Sequence, residues 1–279
     1  MKIISSTAQM RAQVRLWKSN QEQVSLVPTM GNLHQGHLSL INLAKALADR
    51  VVVSIFVNAL QFNQTSDFEN YPRTLDEDLK QLEQMNIDAV FTPNEQDFYP
   101  HGIELAPLIH IPVLADEFCG KYRPGHFEGV ATVVAKLFNA TDPNTAVFGK
   151  KDYQQLLIIE RLTKELNFDI KISAGETVRE KNGLAMSSRN SRLSPKELEI
   201  APNLNSTLFK VSNSFNVDNI QNIEDDAKFS LENHGFRVEY LSIRDARNLQ
   251  AVAQNTSRYV VLAAVWLGDT RLIDNIVFQ

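Results

Sequence analysis

The residues of this chain best suited to chemistry are two histidines flanking a glycine, His34-Gln35-Gly36-His37. They close the stretch Pro28-Thr29-Met30-Gly31-Asn32-Leu33, which follows the apolar run Val24-Ser25-Leu26-Val27 and leads into Leu38-Ser39-Leu40-Ile41-Asn42-Leu43-Ala44. The pattern puts both imidazoles where a strand hands over to a helix. A helix start presents unpaired N–H groups and the positive end of its dipole, so it attracts phosphate, and imidazoles there can meet charge that develops during phosphate chemistry. The segment reads as a nucleotide-phosphate cradle. Two plainer readings stand beside it: a pair of surface histidines on a first helical turn, and half of a metal site. Zinc takes three or four ligands, and the single cysteine, Cys119, is distant and has no C-x-x-C partner, which speaks against a metal.

Three other segments have the composition of sites. Phe56-Val57-Asn58-Ala59-Leu60-Gln61-Phe62-Asn63 carries amides off the end of an apolar strand, where α/β proteins place ligands, and Gln61 can hold a polar substrate group or cap its own loop. Phe148-Gly149-Lys150-Lys151-Asp152-Tyr153-Gln154-Gln155 offers a glycine for close backbone approach, lysines for phosphate, and Asp152 for a ribose hydroxyl or a helix cap. Gln155 lies one turn inside the helix that follows; a capped helix with solvated lysines is the plainer reading. Met186-Ser187-Ser188-Arg189-Asn190 combines hydroxyls with a guanidinium, which suits a triphosphate, in a loop able to close over a ligand. Arg73, Arg123 and His126 are further anion contacts or ordinary surface charges. No G-x-G-x-x-G, P-loop or nucleophile elbow is present, which disfavours dinucleotide, P-loop and Ser-His-Asp chemistry.

These segments need a scaffold, and 279 residues with 43% hydrophobic content supply one large domain or a core domain with a smaller appendage. Val51–Val57 reads as a buried central strand, Thr74-Leu75-Asp76-Glu77 as a capping box opening a helix with Leu75, Leu79 and Leu82 on one side, and Ala89–Phe91 as a short strand. A helix over 129–140, a strand over 145–148, a helix over 153–166 and a strand over 169–173 complete a doubly wound core. Near residue 175 the pattern changes. Ser194-Pro195-Lys196-Glu197 is a second capping box, and strands over 237–243, 258–266 and 270–276, the last two joined at Gly268-Asp269, make a small α+β domain. The expected fold class is α/β, a Rossmann-like doubly wound parallel sheet over 1–175 followed by a smaller C-terminal α+β domain over 176–279. One cysteine, an N-terminus without a signal-peptide core and apolar stretches no longer than a strand predict a cytoplasmic protein with no membrane segment. A net charge of −5 argues against a large nucleic-acid surface and favours a small-molecule substrate.

The His34–His37 and Met186–Asn190 segments, in that order, resemble the paired signatures of adenylate-forming nucleotidyltransferases that include class I aminoacyl-tRNA synthetases. The finer likeness is closer. Pro28 to His37, Gln61-Phe62, Tyr71-Pro72-Arg73-Thr74, Arg123-Pro124-Gly125-His126-Phe127, Phe148-Gly149 to Gln155, and Gly183-Leu184-Ala185-Met186 to Asn190 together resemble the pantothenate synthetase (pantoate–β-alanine ligase) family across nearly the whole chain. The resemblance implies ATP-dependent joining of (R)-pantoate to β-alanine through a pantoyl-adenylate, with Mg²⁺, release of AMP and diphosphate, and a homodimer whose C-terminal domain acts as a lid.

Carried onto this chain, Met30, Gly31, Asn32, Leu33, His34, Gln35, Gly36 and His37 would bind ATP, with His37 as proton donor and His34 beside it on the phosphates. Gly149, Lys150, Lys151, Asp152, Val178, Met186, Ser187, Ser188 and Arg189 would complete the ATP site, Lys151 and Arg189 acting with the histidines on developing charge. Gln61 and Gln155 would hold pantoate. Magnesium is expected on phosphate oxygens and water, with the acidic cluster Asp76-Glu77-Asp78 as candidate helper and no firm protein ligand. Ala59 departs from the family pattern, which usually has proline there. Lys150 is an added charge in a variable place. A different nucleotidyltransferase acting on a phosphorylated acceptor, and a catalytically silent nucleotide-binding module, are the competing readings; neutral Gln61 and Gln155 suit a hydroxy acid better than a phosphate.

Overall fold

Apolar runs rich in β-branched residues form the middle of a parallel sheet. In the computed structural model, which describes residues 1–279, the chain runs β1 (Lys2–Ile4), α1 (Thr7–Ser19), β2 (Val24–Thr29), α2 (Gln35–Leu47), β3 (Arg50–Ile55), α3 (Thr65–Glu69), α4 (Leu75–Gln84), β4 (Ala89–Phe91), α5 (Glu95–Phe98), α6 (Cys119–Tyr122), α7 (His126–Thr141), β5 (Thr145–Gly149), α8 (Tyr153–Glu165) and β6 (Lys171–Gly175). The six strands are parallel in the order β1-β4-β3-β2-β5-β6. Val24, Leu26 and Val27 of β2 and Val51, Val52 and Val53 of β3 are buried, as strands covered on both faces require. From β2 the chain winds one way through β3 and β4, and from β5 the other way to β6. The order therefore reverses between β2 and β5, and ligands of open α/β sheets bind outside the carboxyl ends of strands at such a point. The His34–His37 segment leaves the end of β2, and Gly149-Lys150 leaves the end of β5.

The chain divides into two compact units, Met1–Lys150 with Ile158–Glu176, and Lys151–Leu157 with Thr177–Gln279. The second holds α9 (Pro195–Ile200), α10 (Asn203–Asn213), α11 (Ile220–Asn233) and the antiparallel sheet β7 (Arg237–Asp245), β8 (Tyr259–Leu267), β9 (Thr270–Phe278). Its core joins Leu204 and Leu208 of α10 and Leu231 of α11 to Leu241, Val261 and Val265 of the sheet. The Ser194–Glu197 capping box forms in both directions, and Leu267 pairs with Thr270 across the Gly268-Asp269 turn. Lys151–Leu157 is tied in by Asn275 Nδ2, which donates to the Lys151 carbonyl at 2.9 Å, and by Tyr153, whose hydroxyl donates to the Ala246 carbonyl at 2.8 Å.

Two local expectations differ. Thr74 sits at the cap of α4 without accepting from its N–H groups; its hydroxyl instead donates to Asp78 Oδ2 at 3.2 Å, a charged acceptor that outcompetes the neutral cap bond, and Leu75 is left exposed. The last strand of the large sheet runs over Lys171–Gly175, two residues later than its composition suggests, because the Thr145–Gly149 register is taken by those residues. No helix is long and apolar enough to cross a membrane.

Candidate active site

The turn after β2 is held open by a carboxylate from another element. Gly31 and Asn32 both adopt positive φ, 81° and 51°, which reverses the chain between Thr29 and α2. Asp78 of α4, 1% exposed, accepts from the N–H groups of Asn32 at 2.9 Å and Leu33 at 2.8 Å. A Cβ on Gly31 would lie 3.0 Å from the same carboxylate, so glycine lets the turn close on it. The acidic cluster singled out beside the magnesium thus supplies a loop anchor: both oxygens of Asp78 are engaged by backbone.

His34 caps α2, and the pair forms a reciprocal capping box. The Gly36 N–H donates to His34 Nδ1 at 3.1 Å, and the His34 N–H donates to His37 Nδ1 at 3.3 Å. Because each Nδ1 accepts, each neutral ring carries its hydrogen on Nε2. The rings lie 4.1 Å apart between centroids. The Gly31 N–H is also taken, by the Thr29 hydroxyl at 3.1 Å. The turn is therefore no open nest of backbone donors. The helix dipole favours negative charge at this end.

A second loop meets this one. Ala59–Gln61 make a short 3-10 turn whose cap residue, Asn58, has the extended ψ of 111° that suits a residue before proline. Gln61, 8% exposed, donates from Nε2 to Met30 Sδ at 3.0 Å, so the amide predicted to hold substrate touches the first residue of the predicted nucleotide loop. Its Oε1 accepts from Asn58 Nδ2 at 3.2 Å. Its carbonyl accepts from His126 Nδ1 at 2.7 Å and from Arg123 at 3.3 Å, while Arg123 also reaches His126 Nε2 at 3.1 Å. Arg123 and His126, expected as anion contacts, here shape the Gln61 backbone. Arg73 directs its guanidinium to the carbonyls of Phe68, Glu69 and Tyr71. Gly129 of α7 completes the loop by close approach: a Cβ there would fall 2.3 Å from the Leu60 carbonyl oxygen.

With the two-histidine loop at the switch point of a parallel sheet and a buried neutral amide against it, the chain can be compared with known proteins. The family model described as pantoate-beta-alanine ligase matches residues 2–277. The chain belongs to the pantoate–beta-alanine ligase family. The pantothenate synthetase of Neisseria meningitidis serogroup C is 49% identical over 278 residues, covering 99% of this chain and 98% of the relative, and that of Ruthia magnifica is 46% identical over 284 residues, covering 100% and 99%. The crystal structure of the Thermus thermophilus pantothenate synthetase superposes with a TM-score of 0.90 at 37% identity, covering 99% of both chains. That of the Francisella tularensis pantoate-beta-alanine ligase, complexed with beta-gamma ATP and beta-alanine, does so at 0.81 and 34%, covering 99% of this chain and 97% of that one.

As a member of this ligase family, the chain carries its remaining predicted residues as follows. Gly149 and Lys150 lie in the first unit, and Lys150 pairs with Glu176. Lys151, Asp152, Gln155, Val178 and Met186–Arg189 lie in the second. There the Met186 N–H donates to the Val178 carbonyl at 3.0 Å, Arg179 grips Asp274 through two bonds of 2.7 and 2.9 Å, and the Ser187 hydroxyl accepts from the Arg189 N–H at 3.3 Å. Met186–Arg189 is thus anchored by its neighbours within that unit. Sequence reasoning missed Asn58, Tyr99 and Gly129, and it did not foresee that Asp78 anchors the Asn32-Leu33 backbone. Asn58 stood in the amide-rich segment, but two of its partners, Tyr99 and Gly129, are 41 and 71 residues away.

Proposed function

We propose that this ligase joins (R)-pantoate to β-alanine through a pantoyl-adenylate. In the first step a pantoate carboxylate oxygen attacks the α-phosphorus of ATP, a P–O bond forms, the bond to the β-phosphate oxygen breaks, and diphosphate leaves. In the second the β-alanine amine attacks the acyl carbon, its proton is lost, and AMP departs with the former carboxylate oxygen. The contact of Gln61 with Met30 carries this reading, because it sets a donor for a hydroxy acid against the loop that presents two imidazole Nε2–H groups to phosphate. The imidazoles stabilise charge on the phosphates as diphosphate forms, and His37, the proton donor that the family resemblance implies, meets the departing oxygen through a hydrogen bond from Nε2. Gln61 and Gln155 orient pantoate. Lys151 and Arg189, with Gly149, Lys150, Asp152, Val178, Met186, Ser187 and Ser188, bind ATP in this reading, which the resemblance of their segments to the family motifs supports.

No group of three or more His, Cys, Asp or Glu side chains gathers to hold a metal, and Asp78 is committed to backbone N–H groups. Mg²⁺, which the family resemblance implies, would be held by the phosphate oxygens of the nucleotide and water. A cytoplasmic homodimer completes the proposal, supported by the single cysteine of the sequence and by the family likeness. The deciding experiment is ATP–diphosphate exchange across a panel of acids. Exchange stimulated by pantoate alone is expected, with AMP and pantothenate appearing once β-alanine is added; exchange with a phosphorylated acceptor, or none, refutes it.

A further inference from the structure

Gln61 acts through its amide, and an amide has two faces of opposite polarity; what decides which face it shows is a chain of buried hydrogen bonds. It begins at a main-chain carbonyl. Gly129 C=O can only accept, so the Asn58 side chain, 0% exposed, turns its Nδ2 there, at 3.1 Å. That leaves Asn58 Oδ1 facing the other way, where it needs a donor, and the Tyr99 hydroxyl supplies one at 2.8 Å. The second Nδ2 hydrogen of Asn58 reaches Gln61 Oε1 at 3.2 Å. Gln61 must then point its NH₂ away from Asn58, toward Met30 Sδ. Met30 takes one of the two hydrogens, and the other remains for a ligand oxygen.

We propose that Tyr99 is a positioning residue for pantoate: its hydroxyl holds Asn58, Asn58 holds Gln61, and Gln61 is thereby kept as a hydrogen-bond donor at the substrate. The inference rests on the reading of Gln61 as a pantoate ligand. Tyr99 has the means to be rigid in this role. It is 3% exposed and packs among Phe56 and Phe98, with ring centroids 6.4 and 6.3 Å away, and the Lys136 ammonium lies 5.2 Å from its ring centroid. Burial pushes the phenol well above its ordinary pKa, so the hydroxyl keeps its proton and remains a donor across the working pH range. Met30 adds a consequence: by accepting from the same NH₂, the nucleotide loop shares the relay, so disturbing Tyr99 acts at the junction of the two loops.

The test compares four full-length proteins by steady-state kinetics and thermal melting: the unaltered chain, Tyr99→Phe, Gln61→Ala, and the double variant. Phenylalanine keeps the ring and its packing while removing the donor. Tyr99→Phe should raise the KM for pantoate about 3- to 10-fold and leave the KM for ATP within about 2-fold, as expected when one buried hydrogen-bond partner is lost. In the Gln61→Ala background the same substitution should move the pantoate KM less than about 2-fold, since the relay then ends on nothing. An unchanged pantoate KM in Tyr99→Phe while Gln61→Ala raises it overturns the relay and leaves the Gln61 reading standing. An equal multiplicative rise in both backgrounds assigns Tyr99 to packing alone and also overturns it. No effect of Gln61→Ala on pantoate removes that reading and the relay together.

Discussion

Replacing Asp78 with asparagine probes how a carboxylate distant from the histidines governs them. The carboxylate accepts from two loop N–H groups and from the Thr74 hydroxyl, all within 3.2 Å, at a site 1% exposed. A carboxamide keeps one oxygen and sets an NH₂ against the other loop N–H, so one bond to a charged acceptor is lost and a donor is left facing a donor. A hydrogen bond to a charged group contributes about 1.5–3 kcal/mol. The expected cost is therefore about 2–3 kcal/mol, and at roughly 2–4 °C per kcal/mol for a domain of this size the melting point should fall by about 4–12 °C. Function should suffer beyond stability, because the Gly31-Asn32 turn sets where α2 starts and hence where both imidazoles stand. In pantoate-dependent ATP–diphosphate exchange, assayed well below the melting transition, the KM for ATP should rise several-fold. A variant that melts within about 1 °C of the unaltered protein and exchanges normally would show that the loop holds its shape without Asp78, and the positioning argument would fail.

Three further outcomes follow from other contacts. His37→Ala should cut pantoate-dependent exchange by roughly 10²-fold, the scale of losing an acid–base or oxyanion group, while costing only about 0.5–1 kcal/mol of helix cap by urea titration; normal exchange in the folded variant would sink the assignment. Gly129→Ala puts a methyl 2.3 Å from the Leu60 carbonyl oxygen, so the 59–61 turn must move, and overpacking of about 1–3 kcal/mol with a raised pantoate KM should appear together; wild-type melting and kinetics would show that the loop yields freely. Asp245 is held at a pKa of about 2 by Arg247, first through its side-chain bonds, with the Arg247 N–H and the Thr256 hydroxyl adding to them. The unfolded chain therefore binds more protons than the native one around and below its ordinary pKa of 3.8, and stability present above that pH is lost as pH falls toward about 2. Allowing for solvent at the exposed Arg247, the loss is about 1–2 kcal/mol, and Asp245→Asn should flatten the acid limb of a pH series of melts by that amount; an unchanged limb would remove the linkage.

Much of the fold was legible because its determinants are local. The His34–His37 box closes over three residues, as does the Ser194–Glu197 box, and spacing alone encodes such bonds. Burial on both faces selects β-branched runs, which mark β2 and β3, and a two-residue turn at Gly268-Asp269 fixes the register of β8 on β9. The family was legible for the same reason: its motifs are contiguous stretches read in order along the chain, and the family model matches residues 2–277. What the sequence could not settle was which partner each polar group would take. Asp78 has the same composition whether it meets a cation or the N–H groups of Asn32 and Leu33, and Arg123 and His126 suit an anion as well as the Gln61 carbonyl. Asn58 was marked only as one amide of its segment and Tyr99 not at all, since an amide and a phenol 41 residues apart become a relay only when the segments bearing them pack. Local hydrogen bonds are written in residue spacing. Long-range ones depend on which acceptor the folded sheet and helices bring within about 3 Å of a donor after water has been excluded, and only the tertiary structure makes that choice.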